Sequence, residues 1–327
     1  MLVWLDSPND NGLGTGCTPR RGHSSRINAG DMEHLAAYEL PRLPLDSWRK
    51  AAEKARAEST PAIIAGGFSE SAAVRNWTPA TFAERFGDEL IDVLVDLPAD
   101  RSPYLASRES HTAKISIREL VDRIEAGERC YLNHISLNHF GEMGKDIDLS
   151  SITTPPIHAI NLWLGGPTRS GLHFDNMDNF LVQIFGQKRA VLVDPRYAGS
   201  LELIPEIPSK SGLSPEQIEG PAHGSFGSVP RWCGTISPGD ALFIPRGWWH
   251  YLAGVDRSIS LNVWHGRQLD FRYYCDWFLR SGPAVWMRVA KDFVWCGLLQ
   301  RPYHQRVYCP PPLGVELHRR VARLGRR

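Results

Sequence analysis

The 327-residue chain is 42% hydrophobic, enough for one elaborated core or two average ones. Its 37 basic and 36 acidic residues nearly cancel to a formal charge of +1, which argues against a general nucleic-acid binder working through a strong positive field. Six scattered cysteines (Cys17, Cys130, Cys233, Cys275, Cys296, Cys309) form no CxxC pair, so neither a zinc knuckle nor a disulfide framework is indicated. No stretch reaches the roughly 18 apolar residues of a membrane span, and the first residues carry no basic-then-apolar leader. A cytoplasmic, reducing setting without a membrane is therefore expected.

Residues 1–40 read as a flexible N-terminal arm, because 7–31 are rich in Gly, Ser, Asn, Asp and Arg and almost free of large apolar side chains. Over 41–150 helix and strand signals alternate. SWRKAAEKARAES, from Ser47, predicts a helix, and TPAIIAGGF, from Thr60, a short strand closed by two glycines. Thr78-Pro79 opens a second helix, LIDVLVDL alternates like a half-buried strand, and ISIRELVDRIEAG predicts a helix leading into the strand candidate ERCYLNHISL. From 151 to 268 the pattern changes to short apolar runs (IHAINLWLG, NFLVQIFG, KRAVLVDP, DALFIP, ISLNVW) between Gly and Pro turns. That is the signature of a mainly β, jelly-roll or barrel core flanked by helices. Residues 269–327 turn helical, with Val285, Trp286, Val289, Phe293 and Cys296 expected on one face. That face would cover the core or a second copy of the chain, as a homodimer.

Within the β region, His173 and Asp175 stand two residues apart in GLHFDNMDNF, a spacing that sends both side chains to one face of a strand. A further histidine, His250, follows the Pro-Arg-Gly turn of IPRGWWHYL. Two imidazoles and a carboxylate leave coordination positions open, which suits iron(II) that must also bind a co-substrate and dioxygen. The H-x-D pattern alone is expected about once by chance in such a composition, so its neighbours carry the reading. Lys188 follows the turn residue Gly186. If it points inward it implies an anionic guest, and if outward it is an ordinary hairpin lysine. The aromatic set Trp163, Phe174, Phe180, Trp248, Trp249 and Trp264 would exclude water where it lines the site and would be core elsewhere.

The strings LHFDNMDNFLVQIFGQKRAVLVDP, SPGDALFIPRGWWHYL and SLNVW closely resemble the JmjC (cupin-8) family of iron(II)- and 2-oxoglutarate-dependent oxygenases. The likeness is to the branch containing factor inhibiting HIF and the tRNA wybutosine hydroxylase, and it runs from about Thr60 to Trp264. The resemblance implies a double-stranded β-helix, with His173, Asp175 and His250 as metal ligands and catalytic residues, and Lys188 on the distal carboxylate of 2-oxoglutarate. By the same motifs Tyr131, Ser170, Asn179 and Asn262 line the co-substrate pocket, while Asn133 and Trp264 lie near the substrate. The cofactors implied are Fe(II), 2-oxoglutarate and O2. The expected reaction is hydroxylation of a C–H bond, on a side chain of a peptide or protein, including a ribosomal peptide undergoing tailoring. The alternatives are a lysine demethylase, a tRNA-base hydroxylase, and a non-catalytic cupin-like module that binds a metal or a carboxylate. The segment between Asp194 and Arg231 has no match in the family pattern.

Overall fold

The strands owe their positions to an alternation in which the apolar face points away from the site. In the strand Ile157–Gly165, Ile160, Leu162 and Leu164 face one way and Asn161 and Trp163 the other. In Ser258–His265, Ile259, Leu261 and Val263 share the first face, and Ser258, Ser260, Asn262 and Trp264 share the second. The structure is a computed structural model describing residues 37–44, 48–132, 134–220, 225–269 and 271–324. Most of the arm read over 1–40, and Asn133, lie outside the described residues.

In chain order the strands are β1 (Ala37–Glu39), β2 (Arg42–Leu43), β3 (Ala62–Ile64), β4 (Leu90–Leu94), β5 (Thr112–Ser116), β6 (Tyr131–Leu132) and β7 (Ile135–Ser136). They continue with β8 (Ile157–Gly165), β9 (His173–Phe174), β10 (Asp178–Phe185), β11 (Lys188–Val193), β12 (Arg231–Ile236), β13 (Ala241–Ile244), β14 (Trp249–Gly254) and β15 (Ser258–His265). One sheet runs β1-β12-β11-β14-β9, and the other β2-β3-β13-β10-β15-β8-β6-β4-β5, with β7 also on β8. Strands β8 to β15 thus form the two antiparallel layers of a jelly roll, the expected core. The larger sheet draws strands from both sides of residue 150. At the end of the segment read as an arm, β1 pairs in parallel with β12.

The helices over 47–59, from Thr78 and over 115–127 form as α1 (Trp48–Glu58), α3 (Pro79–Phe86) and α4 (Ile117–Glu125), with the short α2 (Ala72–Asn76) between the first two. Thr78 caps α3 through Thr81 and Ser116 caps α4 through Glu119, which satisfies amide groups that the first turns leave open. Their apolar sides bury Phe82, Ile117, Leu120 and Ile124 against Phe180, Val182, Phe243, Ile259 and Leu261 on the outer face of the larger sheet. Each such side chain contributes on the order of 1.5–3 kcal/mol. This outer layer carries enough burial to leave part of the space between the sheets polar.

The segment 195–230 supplies a second outer layer. Its Leu201, Leu213, Ile218, Phe226 and Val229 join Leu172, Phe174, Val191, Val193, Trp249 and Tyr251 on the back of the smaller sheet. Here the short α5 (Pro215–Glu219) is capped by Ser214. Phe174, Phe180 and Trp249 therefore belong to outer layers, and Trp248 packs among Leu40, Leu192 and Trp232 between the sheets. Of the aromatic set, Trp163 and Trp264 remain at the site.

Past the core come α6 (Phe271–Arg280), α7 (Pro283–Asp292), a π-helical stretch Phe293–Leu298 and α8 (Leu313–Leu324). The single apolar face expected here is divided. Val285 and Val289 are buried, but Trp286 is 37% exposed and donates its indole N–H to the carbonyl of Phe278, and the π-helical stretch breaks the 3.6-residue register from Phe293 onward. Between the helices the chain returns to the core, where Arg306 bridges to Ser107 and Val307 is buried with Leu94, Leu97 and Ala106. Among the described residues no helix is long and apolar enough to cross a membrane.

Candidate functional site

β9 is only two residues long, yet it pairs with β14 so that His173 lies directly opposite His250, with ring centroids 4.1 Å apart. Asp175 follows the strand. Its Oδ1 lies 4.0 Å from Nε2 of His173, and its Oδ2 lies 3.7 Å from Nε2 of His250. One ligand atom from each residue falls within 4.8 Å of the others, a cluster able to hold one metal ion. The Pro-Arg-Gly turn is tied to the same place: Gly247 N donates to the carbonyl of Asp175 at 2.8 Å, and Arg246 N donates to Asp178 Oδ1 at 2.9 Å. The loop carrying the carboxylate and the turn ahead of His250 thus hold each other.

Both imidazoles are aimed by the backbone. His173 Nδ1 lies 2.9 Å from the carbonyl of Gly171 and His250 Nδ1 lies 3.1 Å from that of Trp248. A carbonyl can only accept, so the proton sits on Nδ1 and Nε2 keeps its lone pair for a metal. Burial, reinforced by the Lys210 ammonium and by His250, pushes His173 well below the ordinary imidazole value. Burial also lowers His250, against the pull of Asp175. Asp175 accepts a 3.0 Å hydrogen bond from the indole of Trp264, so Trp264 also orients the carboxylate. Gly171 allows a close approach here: a Cβ would lie 2.3 Å from the Tyr104 ring, whose hydroxyl donates to the Gly171 carbonyl at 3.0 Å.

Lys188 points inward. It is 4% exposed, its ammonium donates to Ser260 Oγ at 2.6 Å and to the Tyr131 hydroxyl at 3.3 Å, and no carboxylate pairs with it among the described residues. Burial lowers it to about 7. Gly186 (φ +67) makes the turn ahead of it, where any Cβ would strike the Arg257 carbonyl. Asn179 is 4% exposed and its Oδ1 has no hydrogen-bond partner. Asn262 accepts from the Trp163 indole at 2.6 Å, and Ser170 Oγ accepts from Leu252 N at 2.9 Å. A buried ammonium without a carboxylate partner among the described residues is what one end of a small dicarboxylate would satisfy.

Ser260 is not among the residues singled out from the sequence, although the alternation of Ser258, Ser260, Asn262 and Trp264 marks it as facing the same side as Asn262. Neither are Lys210, Tyr104, His134 and Tyr308. Their segments are irregular, so no periodicity indicates which side chains turn inward.

A family model described as "Cupin-like domain" matches residues 48–271. Over 225 residues the chain is 28% identical to tRNA wybutosine-synthesizing protein 4 of Aspergillus oryzae, covering 63% of this chain and 21% of that protein. It is 36% identical over 113 residues to Lysine-specific demethylase 8 of Xenopus tropicalis, covering 32% and 24% respectively. Over 212 residues it is 25% identical to tRNA wybutosine-synthesizing protein 5 of Danio rerio, covering 58% and 64%. The chain spans only 21% to 30% of the length of the first three curated relatives it matches.

Proposed function

The chain belongs to the cupin-like domain family, and from that premise we propose that it is an iron(II)- and 2-oxoglutarate-dependent dioxygenase hydroxylating a C–H bond on a peptide or protein side chain. The observation that carries the chemistry is the conjunction of a His-Asp-His cluster with a buried, carboxylate-free lysine between the same two sheets. The oxygenases of this family use iron(II), 2-oxoglutarate and dioxygen, and the donor set fits them: two neutral imidazoles and one carboxylate leave positions for both co-substrates.

In this reading His173, Asp175 and His250 hold the metal, and Trp264 and the Gly171 and Trp248 carbonyls fix their orientation. Lys188 binds the distal carboxylate with Tyr131 and Ser260 placing its ammonium, and the buried Asn179 would turn its amide N–H to the guest. With iron bound, oxidative cleavage of 2-oxoglutarate to succinate and carbon dioxide supplies the oxidation that converts C–H to C–OH. Trp163, Trp264 and Tyr131 crowd water away from the reacting centre.

The formal charge of +1 supports a peptide over a polyanion. A tRNA base is the second reading, favoured because the 225- and 212-residue matches reach proteins whose names tie them to wybutosine synthesis on tRNA. The test is incubation of the purified chain with iron(II), ascorbate and labelled 2-oxoglutarate, first alone, then with a peptide library, then with bulk tRNA. Succinate with a gain of one oxygen on peptide supports the proposal; the same gain on tRNA transfers it to the second reading. A full absence of succinate would leave a binding module.

A further inference from the structure

The segment 209–211 lies alongside β9, with Phe174 N donating to the Ser209 carbonyl at 3.3 Å, Ser211 N donating to the Leu172 carbonyl at 2.9 Å, and Lys210 bridging to His173. His173 and Asp175 are 15% and 18% exposed while His250 is 2% exposed, so solvent reaches the cluster past the first two. Lys210 holds its ammonium 4.7 Å from the centre of the Tyr104 ring, and that ring stands 5.7 Å from His173. A cation on a ring face is held in place yet keeps N–H donors free for a guest.

No carboxylate lies within ion-pair distance of Lys210 among the described residues. Burial pushes the Cys309 thiol up to about 12 and raises the Tyr104 phenol. Burial lowers Lys210, and the Asp175 carboxylate that pulls the other way is already committed to Trp264 and to the metal cluster. Lys210 acts electrostatically on His134, whose ring stands 4.6 Å from Trp163, 5.8 Å from Trp264 and 6.3 Å from Tyr308. The approach to the cluster thus carries several aromatic rings and a lysine without an ion-pair partner among the described residues.

We propose that Lys210 selects the substrate, its ammonium binding the carboxylate of an acidic side chain on, or next to, the residue that is hydroxylated. The inference rests on the peptide reading above. It gives the 195–230 segment a second role, since the stretch that covers the smaller sheet also supplies the specificity determinant.

The experiment uses the full chain with iron(II), 2-oxoglutarate and a library of short peptides, each carrying Asp or Glu, paired with Asn or Gln counterparts. The wild-type chain should favour the acidic member of the best pair by about tenfold or more in kcat/KM, as a charge-assisted hydrogen bond implies. Lys210→Met should bring that ratio close to one and Lys210→Arg should keep it. Because the ratio compares two substrates on one enzyme, a general loss of folding or of metal cancels out. Anaerobic binding of the labelled acidic peptide to manganese-loaded protein should weaken to the same degree in Lys210→Met. Equal use of acidic and amide peptides by the wild-type chain, or a preference that survives Lys210→Met, overturns the inference and leaves the peptide reading standing. So does a rise in the 2-oxoglutarate KM of Lys210→Met with peptide preference intact, which would place Lys210 on the co-substrate. Oxidation of tRNA but of no peptide overturns both.

Discussion

The floor of the site around Lys188 and its mouth around Lys210 each hold a lysine without a carboxylate partner among the described residues, yet they are built from different material. The floor comes from regular strands: Lys188 starts β11, Ser260 and Asn262 lie on β15, and Tyr131 starts β6, so sheet register sets every distance. The mouth comes from irregular chain, with Lys210 on the inserted segment, Tyr104 in a short 3-10 turn, and His134 and Tyr308 at positive φ. Strand pairing can hold a co-substrate that never changes, because moving one residue would slip a whole ladder. Loops can be re-cut without disturbing the sheets, which suits the part that recognises a particular substrate.

The sharpest way to break this comparison is to remove a ligand atom from the floor. Asp175→Ala should abolish succinate formation, a loss of at least about a thousandfold, checked by turnover of labelled 2-oxoglutarate; retained activity would remove Asp175 from the metal cluster. Next, Lys188→Met should raise the 2-oxoglutarate requirement by about a hundredfold while leaving peptide preference alone, since a buried charge-assisted bond is lost. An unchanged requirement would leave the floor without its cation.

Titration sharpens the same point. Burial holds Lys188 at about 7 in the free protein, so the ammonium is present below that pH and is lost as pH rises through it. The affinity for 2-oxoglutarate, measured at fixed metal, should therefore decline above about pH 7, and Lys188→Arg should move the decline out of the accessible range. Smaller again, Trp264→Phe removes the 3.0 Å bond to Asp175 and should weaken iron binding by about tenfold, read from a metal titration. Smallest, Gly171→Ala drives a Cβ to 2.3 Å from the Tyr104 ring and should cost about 1–3 kcal/mol in a denaturant melt.

Much of the floor is legible in the chain itself. His173 and Asp175 have the two-residue spacing of one strand face, and Phe174 between them turns to the outer layer as alternation requires. Lys188 follows a glycine at φ +67, as a turn ahead of a strand demands. Ser260 is open to the same reasoning through its place beside Asn262. The role of Trp264 is not readable, because an indole inside a strand pattern looks alike whether it meets a substrate or a carboxylate 89 positions away.

Alternation and turn chemistry, both local, by themselves determined the jelly-roll strands and the capped helices. Only the tertiary structure decided that His250 stands opposite His173, that the inserted segment lines β9, and that the chain returns at Tyr308. Those pairings join residues far apart along the chain, and their positions depend on register and on outer-layer burial that no local pattern encodes.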